Sequence, residues 1–416
     1  MKKGIVFLTI FVAMIAFTAW AEEMVELVVW DQLPQTEKVI LSFNEKMEKE
    51  GRDVRARLEL IPYEQQVPKF MAALNAGNAP DIYALDIVQY PYFISIGAFR
   101  DITEWYNKQP FKDELPKGLL EMGSKDEKIY ALPYSIDLSA MLWNKDMFKE
   151  AGLDPENPPQ TWYELLQASR KLTIDKDKDG IIDQWGFALV GGGAGAYMFW
   201  LMPFIWGNGG NLFDSYGNVI LNSSNTKDAL QLWHDLLYDF KVVPTASIQY
   251  GSGERYNLFA SGKIGMFLGG NFNITTLLQD APNMDFGVAP IPKNRGDFSS
   301  FGGGTLIGIT SQCEHPELAE EFLSFAFQDE IMIETFAPNL LLLPRPSLYN
   351  NKYYDKTPQM KEFVEILNYA QTPKSIKYNE LYDPIGYYFE AFLLNEMPAE
   401  EALEKCQKEI EKIINQ

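Results

Sequence analysis

Between residues 25 and 85 short apolar runs and amphipathic helical stretches take turns, and this alternation restricts the fold more than any other feature of the chain. Residues 25–30 read as a strand, 36–50 as an amphipathic helix, 55–61 as a strand, 65–75 as a helix and 81–85 as a strand. Strands alternating with helices imply βαβ units, because parallel neighbours need a crossover and a helix is the usual one. The expectation is an α/β protein. Residues 161–280 read as mainly helical with Gly-rich connections, and a strand returns at 305–310 before a helix that opens at Pro316. At 416 residues two compact domains are expected. No repeat and no linker separates them, so the two lobes should interleave along the chain.

Local punctuation is clearest around residues 141–164. Met141-Leu142-Trp143 reads as a short strand that runs into Asn144, a helix-capping side chain, and Gly152 closes the helix in a left-handed conformation. Pro158-Pro159 blocks regular structure. Thr161, with Glu164 three residues on, then forms a capping box that opens the next helix.

The N-terminus reads as an export signal. Lys2-Lys3 precede an uncharged apolar run from Gly4 to Phe17, and Ala19-Trp20-Ala21 is a small-x-small cleavage site. The run is shorter than the roughly 20 residues of a spanning helix. Cleavage is expected after Ala21, and without a following cysteine the product should be released into a periplasm. The full sequence carries a formal charge of −21, which speaks against nucleic acid as a partner. Cys313 and Cys406 are too few for a disulfide scaffold, and free thiols are expected.

Classical catalysis has little raw material here. The two histidines, His234 and His315, read as structural, and no phosphate-binding loop occurs. Gly191 to Ala196 fits Gly-x-Gly-x-x-Ala but lacks the surrounding βαβ repeat of a dinucleotide domain. No cofactor is required. Asp175, Asp177, Asp179 and Asp183 alternate as in a calcium loop with Gly180 at its sixth position. Gly186 stands where the bidentate Glu would be, so a structural Ca²⁺ and a plain solvated turn are both open.

Aromatic residues carry the binding argument. Trp, Tyr and Phe total 57, and several accompany acids: Trp30 beside Asp31, Tyr83 and Tyr90 around Asp86, and Tyr134 before Asp137. Tyr197, Trp200 and Tyr387-Tyr388 add to the set. Flat apolar surfaces with carboxylates at the rim suit a sugar, which has C–H faces and a hydroxyl equator.

Four segments together resemble one family. They are Asn75-Ala76-Gly77-Asn78-Ala79-Pro80-Asp81-Ile82-Tyr83, the stretch from Ile129 to Trp162, Leu258-Phe259-Ala260-Ser261-Gly262-Lys263-Ile264-Gly265-Met266, and His315-Pro316-Glu317-Leu318-Ala319. In order and spacing they resemble the extracellular solute-binding proteins of ABC sugar importers, in the maltose-binding-like group. The resemblance implies a two-lobed periplasmic-binding-protein fold with a ligand cleft between the lobes. It implies an N-terminal lobe of residues 22–136 and 302–340 and a C-terminal lobe of 137–301 and 341–416, with crossings near Ile136, Phe301 and Leu341. Asp86 and Asp137 match positions that accept ligand hydroxyl protons. Trp30 and Asp31 would sit in the first loop, Tyr197 and Trp200 on a helix facing the cleft, and Asn271 and Phe272 after Gly269-Gly270. Gly304 and Thr305 would contact the ligand where relatives carry a residue after the paired glycines, as would Tyr134 before Asp137 and Tyr387 near the last cleft wall.

The implied function is capture of a sugar or polyol and its delivery to a membrane permease, without catalysis, by a monomer. Relatives often carry Trp after the paired glycines, where this chain has Gly303-Gly304-Thr305, and Trp where Phe272 stands. Less stacking surface implies a smaller ligand. Two other readings make different demands. A secreted glycoside hydrolase or lyase would use paired aspartates as acid and base. A receptor for a glycerol-phosphate-like solute would need a basic side chain in the cleft, from Arg255, Arg295 or Arg345.

Overall fold

A computed structural model describes residues 24–191 and 194–416. The expected leader and its cleavage point after Ala21 lie outside the described residues, as do Gly192 and Gly193 of the glycine run. Eleven strands occur among the described residues: β1 (Val25–Asp31), β2 (Val54–Leu60), β3 (Ile82–Asp86), β4 (Ser124–Lys125), β5 (Lys128–Ile129) and β6 (Leu132–Asn144) in the first part. They continue as β7 (Trp185–Ala188), β8 (Ile264–Gly270), β9 (Phe286–Ala289), β10 (Ser300–Ile309) and β11 (Ala370–Gln371).

The βαβ expectation holds at the start of the chain. β1 pairs in parallel with β2 and with β3, and the helices Thr36–Lys49 and Gln66–Ala76 make the crossovers. The first helix buries Val39, Ile40, Phe43 and Met47 at positions that share one face. Burying each such side chain contributes about 1.5–3 kcal/mol. Gly77 ends the second helix at φ 73°, a left-handed conformation that releases the chain into β3.

β6 is the element that organises the molecule. Its residues Leu132–Leu138 pair antiparallel with β10, while Ser139–Trp143 pair with β8. β10 in turn pairs with β3 on its other side. The sheet order is therefore β2-β1-β3-β10-β6-β8-β7, with β11 on β10 and β9 on β6. One half of β6 belongs to the sheet built by β1 to β3 and the other half to the sheet built by β7 to β9, which gives a two-lobed α/β fold with shared strands at the waist.

Two expectations need correction. The strand at Met141-Leu142-Trp143 is the tail of a thirteen-residue strand, whose polar members Ser135, Asp137 and Ser139 interrupt the apolar pattern. The stretch 161–280 contains β7 and β8 as well as helices, and every residue of β8 is buried, as a central strand covered on both faces requires. The punctuation is as expected. Asn144 Oδ1 accepts from the Met147 amide at 3.0 Å, Gly152 has φ 67°, and Thr161 with Glu164 closes a capping box. Cys313 and Cys406 are buried free thiols. Among the described residues no helix is long and apolar enough to cross a membrane.

Candidate functional site

Where β6 and β10 cross the waist, β10 carries Gly302-Gly303-Gly304 opposite Leu138, Asp137 and Ile136. Gly304 has φ 103°, and a Cβ there would run into the Ser135 carbonyl oxygen. Only glycine fits. The backbone opens beside it into a cavity of about 150 Å³ lined by Tyr63, Asp86, Val88, Asp137, Gly195, Met198, Phe199, Phe301, Gly303, Gly304, Tyr378 and Tyr382. Both lobes and both shared strands contribute.

Two carboxylates define its polar wall. Asp86 ends β3 and caps the turn that follows: its Oδ1 accepts from the Val88 amide at 3.0 Å. Asp137 lies mid-β6, and its Oδ1 accepts from Asn271 Nδ2 at 3.3 Å. Asn271 is itself locked, since its Oδ1 accepts from the Leu138 amide at 2.9 Å and its Nδ2 also donates to the Ile136 carbonyl. It therefore positions Asp137 from the end of β8. Burial pushes the Asp86 carboxyl up to about 7, with the Asp137 charge adding to the rise. Burial also raises Asp137, partly offset by the Asn271 bond. Each carboxylate has one oxygen engaged, and the other has no hydrogen-bond donor among the described residues.

The remaining expected residues divide. Trp30 is buried away from the cavity, where Nε1 donates to Glu59 and Lys69 sits 4.8 Å from the ring centre. Asp31, fully buried, accepts from Thr36 Oγ1 at 2.6 Å and the Leu33 amide at 3.0 Å, so it ties β1 to the helix that follows. Tyr134 packs edge-on against Phe336 at 4.9 Å. It does not line the cavity, and the register shift at the Thr305/Leu306 step leaves it as the unpaired residue between Pro133 and Ser135. Thr305 is buried beside Gly304 but does not line the cavity.

Tyr197 and Trp200 are buried behind the wall. They belong to a π-helical turn, Tyr197–Leu201, whose wider winding brings Met198 and Phe199 to the cavity instead. Trp200 packs on Phe199 at 4.6 Å and beneath the Arg255 guanidinium at 4.0 Å. Phe272, 42% exposed, completes this aromatic group at 6.1 Å from Phe199. Tyr387 points outward and is 65% exposed. Tyr382, five residues earlier in the helix Tyr382–Leu393, is the one that faces the cavity, and five residues turn a helix by roughly 140°. Sequence reasoning missed Tyr63, Phe199, Phe301, Tyr378 and Tyr382. The available signal was Tyr382 at the head of an apolar helix.

Larger hollows lie elsewhere. One of about 280 Å³ near Trp143 and Phe286 and one of about 510 Å³ near Trp30 each stay within one lobe. A third, about 490 Å³ between Asp113 and Asn368, has no aromatic face. The smaller cavity is the candidate site because two half-free carboxylates and several aromatic faces meet there at the waist. Arg255 is buried against Trp200, Arg345 pairs with Glu114 and Asp329, and Arg295 pairs with Asp228. None of them lines it.

In the 175–183 loop Asp175, Asp177 and Asp183 offer carboxylate oxygens within 4.8 Å of one another. Asp179 turns instead to the Ile181 amide at 2.8 Å. Gly180 at φ 90° makes the bend, and its amide donates to Asp175 Oδ2 at 2.9 Å.

Two lobes that share strands and enclose a polar-and-aromatic cavity make a clamshell ligand receptor. A model of the bacterial extracellular solute-binding protein family matches residues 31–333, and the chain belongs to that family. It is similar to an arabinooligosaccharide-binding protein of Halalkalibacterium halodurans, 24% identical over 94% of this chain and 90% of that protein. An sn-glycerol-3-phosphate-binding periplasmic protein of Agrobacterium fabrum is 23% identical over 86% of each. Among solved structures, the sugar-binding protein MalE of Xanthomonas citri superposes with a TM-score of 0.81 at 18% identity, over 94% of this chain and 97% of that one. A cyclic alpha-maltosyl-1,6-maltose binding protein from Arthrobacter globiformis gives 0.80 at 23% identity, over 94% and 99%. These structures share the fold.

Proposed function

We propose that the protein is the receptor of an ABC sugar importer, which takes a small sugar or polyol into the cavity at the waist and presents the closed, loaded form to the permease subunits. The observation that carries this reading is the meeting of Asp86 and Asp137 with Tyr63, Phe199, Tyr378 and Tyr382 on one cavity. Carboxylate oxygens without protein donors accept ligand hydroxyl protons, and the rings cover the apolar faces of a sugar. The cavity, at about 150 Å³, is below the roughly 300–1,000 Å³ of sites for drug-sized ligands, which favours one ring over a long chain.

The proposed lobes are residues 22–136 with 302–340 and 137–301 with 341–416; the change of partners along β6 between Leu138 and Ser139 supports a crossing close to the first of these limits. Across those limits Gln89 and Asn379 exchange a reciprocal amide pair at 2.9 and 3.1 Å. Contacts of this kind exist only in the closed form, and a solute touching both lobes favours that form by its differential affinity. No bond in the solute is broken. The site has acid and base types but its relatives are binding proteins. A phosphorylated solute is disfavoured because no basic residue among the described residues lines the cavity.

Within the same proposal the chain is exported, cleaved after Ala21 and works as a periplasmic monomer. A calcium ion held by Asp175, Asp177 and Asp183 would brace the loop ahead of β7. Three converging carboxylates fit it, whereas the absent twelfth-position Glu weakens the fit. The test is thermal stabilisation against a panel of sugars and polyols. A true ligand at a hundredfold excess over its dissociation constant stabilises by about 2.7 kcal/mol. No shift with any member would sink the reading.

A further inference from the structure

The polar wall of the cavity has one sign. Asp86 and Asp137 face it, and the other titratable groups that line it are the phenols of Tyr63, Tyr378 and Tyr382. No Lys, Arg or His is among the lining residues. A neutral sugar can donate hydroxyl protons to both carboxylates, yet it brings no charge to offset two acids that line one cavity. An ammonium group brings three N–H donors and cancels one of the charges. The tyrosine and phenylalanine faces add to this, because a ring face attracts a cation. Tyr378 is 2% exposed, and its hydroxyl has no hydrogen-bond partner among the described residues, which leaves a buried polar group for the solute to meet. A formal charge of −21 over the whole chain favours the approach of cations.

We infer that the solute is a single-ring sugar carrying a cationic amine, with its ammonium group seated between Asp86 and Asp137. This rests on the receptor reading above. In the empty cleft a proton relieves the pair: burial holds Asp86 at about 7, and Asp137 is raised as well. The ammonium takes over that task, so below the amine's own titration at about pH 8 binding releases a proton and tightens as pH rises from about 6 towards 7.

The test is calorimetric titration of the leaderless chain at pH 7 with D-glucosamine, D-galactosamine and D-mannosamine, each beside its neutral parent hexose and its N-acetyl derivative. At least one amine should bind tenfold or more tightly than both neutral partners, and Asp86→Asn and Asp137→Asn should bring that ratio close to one. Should a variant fail to fold, the ratio in the unaltered protein decides alone. Parents that bind as tightly as the amines in every pair would overturn the inference and leave the receptor standing. Absence of binding by amines, parents and oligosaccharides alike would remove both.

Discussion

Asp31 is buried and Asp137 half-buried, and their hydrogen bonds separate their roles. Asp31 spends both oxygens on Thr36 and Leu33. Asp31→Ala should therefore lower the stability of the unliganded protein by about 1–3 kcal/mol, in urea unfolding, with sugar affinity unchanged. Asp137 keeps one oxygen for the cavity, so Asp137→Ala should abolish ligand-induced stabilisation and barely move the unliganded melting temperature. A large loss in the free protein would make Asp137 structural instead. The pH dependence carries a definite sign. Burial raises Asp31 to about 7, so between about pH 4 and 7 the folded state holds a proton that the unfolded state has released. The contribution of this group is full below about pH 4 and is lost as pH rises through 7. The fall in melting temperature from pH 5.5 to 8 should shrink in Asp31→Asn. Asp86, Asp137 and Asn271 were legible through the family resemblance, which put each of them on the cleft. Asp31 misled because capping and ligand binding draw on the same residue types.

Among the elements, the paired strands β6 and β10 do most to set the site. Gly304 sits at a positive φ with the Ser135 carbonyl in the way of any Cβ, so Gly304→Ala should destabilise by more than about 1 kcal/mol and weaken sugar binding together with stability. Equal melting temperatures would show that the strand is not strained there. The calcium reading belongs at this scale too. Added Ca²⁺ should raise the melting temperature of the unaltered protein and leave Asp183→Ala unmoved, and equal behaviour would mark the loop as a plain turn. The βαβ start and the capped helices at 144 and 161 were legible because each carries local chemistry. The π-helical turn at 197–201 was not. The resemblance put Tyr197 and Trp200 on the cleft, whereas the π-helical turn brings Met198 and Phe199 to the cavity.

At the scale of the molecule, the central claim is that two lobes close around a solute that leaves unchanged. The overall two-lobed arrangement was readable from ordered motifs along the chain, whereas the C-terminal contribution of Tyr378 and Tyr382 depends on long-range packing that no local pattern records. The Gln89–Asn379 amide pair bridges the two lobes. Asn379→Ala should enlarge the unliganded molecule in solution and weaken sugar binding severalfold, since a less populated closed state lowers apparent affinity in proportion. The most direct test is small-angle scattering of the unaltered protein with and without its best-stabilising sugar, followed by chromatography of that sugar. The account predicts a smaller radius of gyration at saturation and full recovery of intact sugar; an unchanged radius together with cleaved sugar would contradict it.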